Sequence, residues 1–443
     1  MMESEFSINT PINYDVVKKY IVESGLKNVG KASIREIRSI INNVEKETGD
    51  RYIRMEMGVP GLKTPSIAIE AEIEALRNGV SALYPEIGGL DDLKTEISRF
   101  IKNFTNIDIS SRSCFPTVGS VNGSYIVFMV TGKMDPKKDT ILFIDPGFPV
   151  HKQIVKMLGL KQDNFDVYEY RGDKLRDKLE SHLAKGNVST ILYCNPNNPT
   201  WICFTEKELE IIGDLANKYD VVVAEDLAYF GMDFRRDISK PGEPPYQVSV
   251  ANYTDNYVLL ISSSKAFSYA GQRIGMLAIS DKLFDSRHDN LLNYFSTNMF
   301  GYSVLYGVIY GTSAGISHSS QYGLLALLRA VNNGDYNYFN DVKEYAEKAG
   351  IMKKMFTDNG FYIVYDKDED NPIADGFYFT VCYPGFTGEE LIEELLYYGI
   401  SAISLAITGS QREGIRACVS LVRRDQFPAL EERLKIFREN HAL

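Results

Sequence analysis

The run DVVVAED, residues 220–226, places four apolar residues directly before two acids, Glu225 and Asp226. Three other runs have the same texture: TILFID (140–145), STILYCN (189–195) and YVLLISS (257–263). Nearly continuous apolar runs are typical of strands buried on both faces of a parallel sheet. Helical patterns separate them, and the clearest, TEKELEIIGDLANKY (205–219), opens with a capping box of Thr205 and Glu208. This alternation predicts an α/β fold: a mostly parallel central sheet with helices on both faces and ligand chemistry at the carboxyl ends of the strands.

The pattern changes after about residue 280. Long helical patterns such as QYGLLALLRAV (321–331) precede two short strand-like runs, GFYFTVCY (376–383) and GIRACVSLV (414–422). A second capping box, Thr387 with Glu390, opens a helix between these runs. The pattern predicts a smaller α+β domain, which the N-terminal segment joins as helix and extended arm. The acidic run DKDEDNP (366–372) is predicted to be an exposed connector.

Composition narrows the class of protein. The 443 residues are 44% hydrophobic and 24% charged, with a net charge of −11, which argues against nucleic-acid binding. The N-terminus lacks a secretory signal pattern and no apolar run approaches the ~18 residues of a membrane helix, so a cytoplasmic protein is expected. The five cysteines and five histidines are scattered without metal-ligand spacing, so no metal site is predicted.

Polar residues follow the predicted strands at the edge where a ligand would bind. Asn195, Asn197 and Asn198 follow one strand, whereas Asp226 and Tyr229 follow the next. Taken alone, the asparagines fit ordinary turn chemistry and Asp226 fits a helix N-cap. An acid at the end of so apolar a strand, however, costs desolvation free energy unless a cation pairs with it.

Two further segments carry anion-binding and cationic groups. FPTVGSVNGSYIVFMV (115–130) has Gly119 and Ser120 ahead of an apolar helix, whose free N–H groups would cradle a phosphate. SSSKAFSYAGQRIG (262–275) places hydroxyls beside Lys265, with Arg273 downstream. Together the segments describe one ligand, with an anionic group, a basic ring nitrogen facing a carboxylate, a ring oxygen facing Asn and Tyr, and an electrophile facing lysine. Pyridoxal phosphate has all of these groups.

From about Gly58 to the C-terminus, the chain resembles the class I/II aminotransferases, which are fold-type-I pyridoxal-phosphate enzymes. The motifs that carry the resemblance are SSSKAFSYAGQRIG (262–275), NPNNPTW (195–201), DLAY (226–229), GSVNG (119–123), DPGFPVH (145–151), IRACVSL (415–421), MEMGVPG (55–61) and LYPEIGGLDDLK (83–94). Trp201 stands where the family usually has glycine. The resemblance implies a cofactor-binding large domain over residues 71–325 and a small domain over 326–443, with 1–70 forming an arm and part of the small domain.

The resemblance also implies roles for individual residues. Lys265 would be the catalytic Schiff-base lysine, with Asp226 on the ring nitrogen and Tyr229 on the ring oxygen. The other implied cofactor contacts are Asn198 on the ring hydroxyl, Phe148 stacked on the ring, and Ser120, Val121, Ser262 and Arg273 on the phosphate.

Implied substrate and subunit contacts complete the site. Arg416 would bind the substrate α-carboxylate, with Gly58 and Asn198 beside it. Tyr84 would reach the phosphate of the neighbouring subunit, which implies a homodimer with active sites at the interface. His151 would support Asp226 from behind. No motif gives Arg412 a role, and it is expected to be a solvated loop charge.

The resemblance implies an aminotransferase. Such an enzyme would move an amino group from a neutral or aromatic L-α-amino acid to a 2-oxo acid such as 2-oxoglutarate. A β-lyase or a decarboxylase on the same fold is the alternative, because the same cofactor chemistry feeds all three reactions. A non-catalytic pyridoxal-phosphate-binding regulator is the remote alternative, and the acidic balance argues against the DNA-binding domain that such proteins usually carry. The expected partners are these small molecules, with neither nucleic acid nor membrane.

Overall fold

A computed structural model describes residues 9–441 of the chain. Residues 1–8, on which most of the secretory-signal expectation rests, lie outside that range. In chain order its first elements are α1 (Tyr14–Glu23), α2 (Ile34–Thr48), β1 (Ile53–Arg54), α3 (Ser66–Arg77), α4 (Asp91–Thr105), β2 (Cys114–Thr117), α5 (Gly119–Met134), β3 (Thr140–Asp145), α6 (Pro149–Met157), β4 (Lys161–Asp166), α7 (Lys174–Leu183), β5 (Val188–Cys194), α8 (Glu206–Tyr219), β6 (Val222–Leu227), β7 (Tyr257–Ser262), α9 (Ser263–Ala266) and β8 (Gly275–Ile279). The later elements are α10 (Asp281–Asp285), α11 (Phe300–Tyr302), α12 (Tyr310–Ser313), α13 (His318–Asn332), α14 (Tyr338–Asp358), β9 (Tyr362–Ile363), β10 (Lys367–Asp368), β11 (Asn371–Pro372), β12 (Tyr378–Cys382), α15 (Gly388–Tyr397), β13 (Ile400–Ser401), β14 (Ile403–Ser404), β15 (Ile415–Cys418) and α16 (Phe427–Asn440). A π-helical segment, Ser303–Ile309, joins α11 to α12.

The central sheet has seven strands in the order β2-β8-β7-β6-β5-β3-β4. All are parallel except β8, which runs antiparallel to β2 and β7. The four strands predicted from apolar runs are β3, β5, β6 and β7, which lie side by side and are buried along their whole length. Leu259 and Ile261 of β7 belong to one apolar core and Val258 and Leu260 to the other, as pleating requires. The predicted fold class is confirmed.

The register of the sheet brings the strand ends level. Cys194 of β5 pairs with Asp226 of β6, which in turn pairs with Leu260 of β7. Because these strands are parallel, the polar residues that follow each of them emerge at the same edge.

A second sheet forms in the C-terminal part, with four antiparallel strands in the order β14-β15-β12-β9. Helix α14 packs against β9, β12 and α16, so the predicted smaller α+β part is confirmed. The N-terminal arm joins this part through parallel pairing of β1 with β13. The expected boundary at residue 325 falls inside α13, which packs on α3 and α4, and the three-part division into domains stays a prediction.

The acidic run 366–372 is exposed at five of its seven residues, as its composition indicates, but one of its acids is buried. It forms the β10–β11 hairpin, and the Asp368 side chain is only 4% exposed. Asp368 accepts hydrogen bonds from Arg171 and Arg235, each at 2.7 Å. Arg171 in turn forms a bidentate pair with Glu208. Asp368 departs from the expectation because the two arginines that pair with it lie far away in the sequence.

The lengths and compositions of the helices bear on whether any of them could span a membrane. Within residues 9–441, none combines the length and the apolar character needed to cross a bilayer. The cytoplasmic location stays a prediction.

Candidate active site

A cavity of about 300 Å³ lies at the carboxyl ends of β5, β6 and β7. It brings together every predicted cofactor or substrate residue except Tyr84: Gly58, Ser120, Val121, Phe148, Asn198, Asp226, Tyr229, Ser262, Lys265, Arg273 and Arg416. The level strand ends explain the convergence, because Cys194 and Ser262 are the last residues of β5 and β7 and Asp226 is next to last in β6.

Lys265 lies in α9, directly after β7, and is partly buried. Its Nζ donates a hydrogen bond to the Gly58 carbonyl oxygen at 2.5 Å. Burial, reinforced by the guanidinium groups of Arg416 and Arg273, lowers the pKa of Lys265 to about 8. An appreciable fraction of the amine is therefore uncharged near neutral pH, which a nucleophile or a general base needs.

Asp226 places a buried carboxylate at the end of β6. Its Oδ1 accepts a hydrogen bond from the Ala228 backbone N–H at 3.1 Å, and burial raises the pKa of Asp226 to about 7. His151 Nε2 lies 3.9 Å from Asp226 Oδ2, beyond hydrogen-bond distance. Burial lowers the pKa of His151 to about 4, so the imidazole is neutral. A cationic group in the cavity would stabilise the ionised form of Asp226.

The start of α5 and Arg273 form a cradle for an anion. Gly119 has φ +76°, a backbone conformation that favours glycine. A Cβ at this position would lie 2.7 Å from Arg273 Nη2, so the missing side chain lets the guanidinium approach the first helical turn. Ser120, Val121 and Ser262 line the cavity at this end. Free backbone N–H groups, a hydroxyl and a permanent cation together suit a phosphate.

Arg416 comes from β15 of the second sheet and is 3% exposed. Its Nη1 donates to Asn198 Oδ1 at 3.3 Å and its Nη2 to the Glu56 carbonyl oxygen at 2.6 Å. Its Nε is buried without a hydrogen-bond partner among the described residues. The guanidinium carbon lies 4.5 Å from the centre of the Tyr378 ring. Arg416 thus lines the cavity with a guanidinium that retains one unused donor.

Trp201 keeps the turn that the family builds with glycine. Its φ is +66°, in the left-handed region that glycine adopts most readily. The indole is fully buried, with ring centroids 5.3 Å from Tyr229 and 6.2 Å from Tyr378. Gly376 makes room for it, because a Cβ there would lie 1.9 Å from Trp201 Cε2. Trp201 therefore combines a fully buried side chain with a backbone conformation that is unfavourable for residues other than glycine.

Two predicted positions lie outside the cavity. The side chain of Tyr84 is 95% exposed and contributes nothing to the lining of its own chain's cavity. Arg412 is about two-fifths exposed, forms an ion pair with Glu169, and lies 4.3 Å from the Tyr168 ring centre. Arg412 is therefore a loop charge, as expected, but one held by a carboxylate and an aromatic ring.

Several lining residues were not predicted: Ile34, Met57, Val59, Cys194, Ala228, Ser264, Ala270 and Tyr378. Ile34 begins α2 and Tyr378 begins β12, so both reach the cavity from elements far from the motifs. The available signal was indirect: a phenol in the short apolar run GFYFTVCY needs a polar partner when buried.

These groups fit pyridoxal phosphate. Among residues 9–441, the buried Asp226 carboxylate has no cationic partner and the Arg416 Nε–H has no acceptor, which suits a ligand with a cationic ring and a carboxylate. The Gly119 cradle suits the phosphate, and the lowered pKa of Lys265 suits attack on an aldehyde. Asn198 and Tyr229 lie in the lining where a ring oxygen needs hydrogen-bond donors.

Comparison with known proteins agrees with this site. The profile of the family "Aminotransferase class I and II" matches residues 51–359. The chain is 25% identical to a "Probable aspartate aminotransferase" of Methanocaldococcus jannaschii over 79% of its own length and 85% of the relative's. It is 24% identical to an LL-diaminopimelate aminotransferase of Natranaerobius thermophilus over 73% and 76% of the two lengths.

A solved structure shows the same fold. The alanine aminotransferase of Pyrococcus furiosus superposes with a TM-score of 0.74 at 19% identity, over 95% of this chain and 99% of that one. At this identity the likeness speaks for the fold alone. Because the family profile covers more than half of the sequence, this chain belongs to the class I and II aminotransferases, which are pyridoxal-phosphate-dependent transaminases.

Proposed function

We propose that this chain moves an amino group from a neutral or aromatic L-α-amino acid to a 2-oxo acid through Lys265. The observation that carries the proposal is the convergence of the Lys265 amine, the buried Asp226 carboxylate and the unsatisfied Arg416 guanidinium on one cavity. A base, a partner for a cationic ring and a carboxylate fork are the three groups that transamination of an α-amino acid requires of the protein.

In this proposal the cofactor is held at both ends. Ser120, Val121, Ser262 and Arg273 bind the phosphate, and Asp226 keeps the ring nitrogen protonated. Asn198 and Tyr229 donate hydrogen bonds to the ring oxygen, while Phe148 covers one face of the ring. Bound pyridoxal phosphate supplies an electron-withdrawing ring that takes up the electron pair left when the substrate Cα–H bond breaks.

Lys265 moves the proton in this proposal. Its neutral amine accepts the proton from the substrate Cα. The amine later donates this proton to the cofactor carbon that is bonded to the transferred nitrogen. The pKa of about 8 supports this role, because an ordinary lysine is almost wholly protonated at neutral pH. Arg416 holds the substrate carboxylate in a bidentate fork, which fixes the Cα–H bond relative to the amine.

The cavity favours a substrate without a side-chain carboxylate. Of residues 9–441, the cationic side chains that line it are Lys265, Arg273 and Arg416, and each already has a proposed partner. Ile34, Met57 and Val59 supply apolar surface. A side-chain carboxylate from aspartate, or the second carboxylate of 2-oxoglutarate, would thus find no further cation in the lining that residues 9–441 provide. The neutral or aromatic donor therefore has support from the lining, whereas 2-oxoglutarate stays an acceptor to be tested against pyruvate.

A donor and acceptor screen tests this proposal. The protein reconstituted with pyridoxal phosphate should be yellow and should transaminate leucine, alanine, phenylalanine or tyrosine faster than aspartate or LL-diaminopimelate. Each donor is paired with pyruvate and with 2-oxoglutarate, and Lys265→Ala is the inactive control. Release of ammonia or carbon dioxide without a 2-oxo acid would instead indicate a lyase or a decarboxylase. A preference for aspartate would contradict the proposed substrate class.

A further inference from the structure

Tyr378 lies where three proposed site residues meet. It is buried at the start of β12 and lines the cavity. The Tyr229 hydroxyl donates a hydrogen bond to the Tyr378 hydroxyl at 2.8 Å. The Arg416 guanidinium lies over the Tyr378 ring. A Cβ on Gly58 would lie 2.1 Å from Tyr378 Oη, so glycine there leaves room for the hydroxyl.

The two phenols have one more hydrogen than their single hydrogen bond uses. Tyr229 donates to Tyr378, and in residues 9–441 the Tyr378 hydroxyl hydrogen has no acceptor of its own. Hydroxyl hydrogens rotate to suit their acceptors. An anionic ring oxygen beside Tyr229 would therefore draw the Tyr229 hydrogen toward itself, and Tyr378 would then donate to the Tyr229 oxygen. A phenol that accepts a hydrogen bond from a second phenol becomes a stronger donor in its own hydrogen bond.

The Tyr378 ring has a separate effect on Arg416. The guanidinium carbon lies 4.5 Å from the ring centre, in the range of a cation–π contact. Together with Asn198 and the Glu56 carbonyl oxygen, the ring limits the orientations of the guanidinium. The phenol thus contacts two groups that bind different parts of the bound molecules.

We propose that Tyr378 is a positioning residue of this aminotransferase, whose hydroxyl supports the hydrogen bond from Tyr229 to the cofactor and whose ring holds Arg416 for the substrate carboxylate. This inference rests on the roles proposed above for Tyr229 and Arg416. Cys194 of β5 and Cys418 of β15 lie near the two phenols, and Asp226 and Lys265 line the same cavity. Both thiols are buried, which raises their pKa, so they stay uncharged in the working range.

The role of the Tyr378 hydroxyl is tested by measuring the visible absorbance of the holoenzyme as a function of pH, without substrate. In Tyr378→Phe the midpoint of this titration is expected to rise by about half a pH unit, because a weaker donor leaves the ring oxygen more basic. Tyr398→Phe is the matched control. It removes another buried phenol with hydrogen-bond partners, away from the cavity, and should leave the midpoint unchanged.

A double-mutant cycle asks whether Tyr378 acts through Tyr229. Tyr229→Phe removes the oxygen that receives the hydrogen bond, so adding Tyr378→Phe in that background should produce no further shift. An additive shift, or no shift from Tyr378→Phe in the wild-type background, would overturn the hydroxyl role. Gly58→Ala lies in another segment of the chain, and its methyl group would displace the Tyr378 hydroxyl. This variant should also raise the titration midpoint, so it tests the role of the hydroxyl if Tyr378→Phe does not fold.

The ring is tested by steady-state kinetics. Tyr378→Leu, compared with Tyr378→Phe, should raise the KM for the amino-acid donor about tenfold and change kcat less, because the cation–π contact is lost. Equal KM values in the two variants would overturn the ring role. A wild-type protein that stays colourless in excess pyridoxal phosphate would instead refute the proposed function. A yellow wild type with an unshifted Tyr378→Phe variant refutes only the role of the hydroxyl.

Discussion

In the role proposed for Lys265, the charge of its amine sets the pH range in which the site captures its cofactor. With a pKa of about 8, the neutral fraction of Lys265 grows as pH rises toward 8 and is nearly complete above it. The rate of cofactor capture by the cofactor-free protein should therefore rise about tenfold per pH unit below 8 and then level off. Stopped-flow absorbance measures this rate, and Lys265→Ala should show no covalent phase. A profile that levels only above pH 10 would mean that the lysine is not perturbed.

Trp201 and Gly376 form a matched pair. Gly376→Ala would drive a methyl group into the indole, which lies 1.9 Å from the ideal Cβ position, and should destabilise the protein by about 1–3 kcal/mol. Trp201→Phe in the same chain should restore part of that loss, because the smaller ring leaves room. Urea unfolding measures both effects. Gly311→Ala, where a Cβ meets no atom within 4 Å, is the control; a loss there as large as at Gly376 would refute the steric explanation.

At this scale the sequence predicted the cavity residues at strand ends and in dense motifs better than the residue that contacts them from the second sheet. Asp226, Asn198 and Lys265 were found because each is a polar residue at the end of an apolar run or in a dense motif. Tyr378 was missed because it begins an ordinary-looking strand, and only the tertiary structure brings its hydroxyl to Tyr229. Residues such as Tyr378 are identified by contacts between segments that lie far apart in the sequence. A single sequence does not show these contacts.

The β10–β11 hairpin depends on one buried carboxylate. Asp368 pairs with Arg171 and Arg235, so Asp368→Asn keeps the shape but removes the charge and should cost about 3 kcal/mol of unfolding free energy. Asp358→Asn is the control, because it breaks a half-exposed pair with Lys354 worth at most about 1 kcal/mol. Chemical denaturation compares the two variants. Equal losses would mean that the hairpin is the solvated connector that its composition predicts.

Apolar runs revealed the middle of the central sheet but not its edges. β4 has the sequence KQDNFD, is mostly exposed and lies at one end of the sheet, so it carries no apolar signal. β2 lies at the other end, is four residues long and contains Pro116, which sheets tolerate at an edge. Exposure of its first half weakens the apolar pattern of β4, whereas β2 is buried at all four positions and was missed because it is short and contains Pro116.

At the scale of the whole molecule, the homodimer stays a prediction, and Tyr84 makes it testable. Its side chain is 95% exposed and lies outside the cavity of its own chain, as a residue serving a neighbouring subunit would. We therefore expect Tyr84→Ala to weaken cofactor binding about tenfold, the loss of one hydrogen bond to a charged group. Equilibrium titration with pyridoxal phosphate measures this affinity.

Mixing two defective subunits tests the shared site directly. A hybrid dimer of Tyr84→Ala and Lys265→Ala subunits contains one site in which both residues are intact. Such hybrids should recover about half of the wild-type activity per dimer at low cofactor concentration, where the Tyr84→Ala parent keeps about a tenth of the activity and the Lys265→Ala parent none. Tyr294→Ala, at another exposed tyrosine, replaces Tyr84→Ala in the control mixture. The absence of recovery in hybrids of confirmed composition would refute the contribution of Tyr84 across the interface.

Trp201 is the only tryptophan among the 443 residues, and this gives the chain an optical property. All indole emission comes from one buried position that touches the aromatic wall of the cavity through Tyr229 and Tyr378. A bound chromophore that absorbs in the near ultraviolet and violet would accept this emission by energy transfer over so short a distance. Fluorescence at the tryptophan wavelength therefore reports cofactor occupancy of the folded protein without any label.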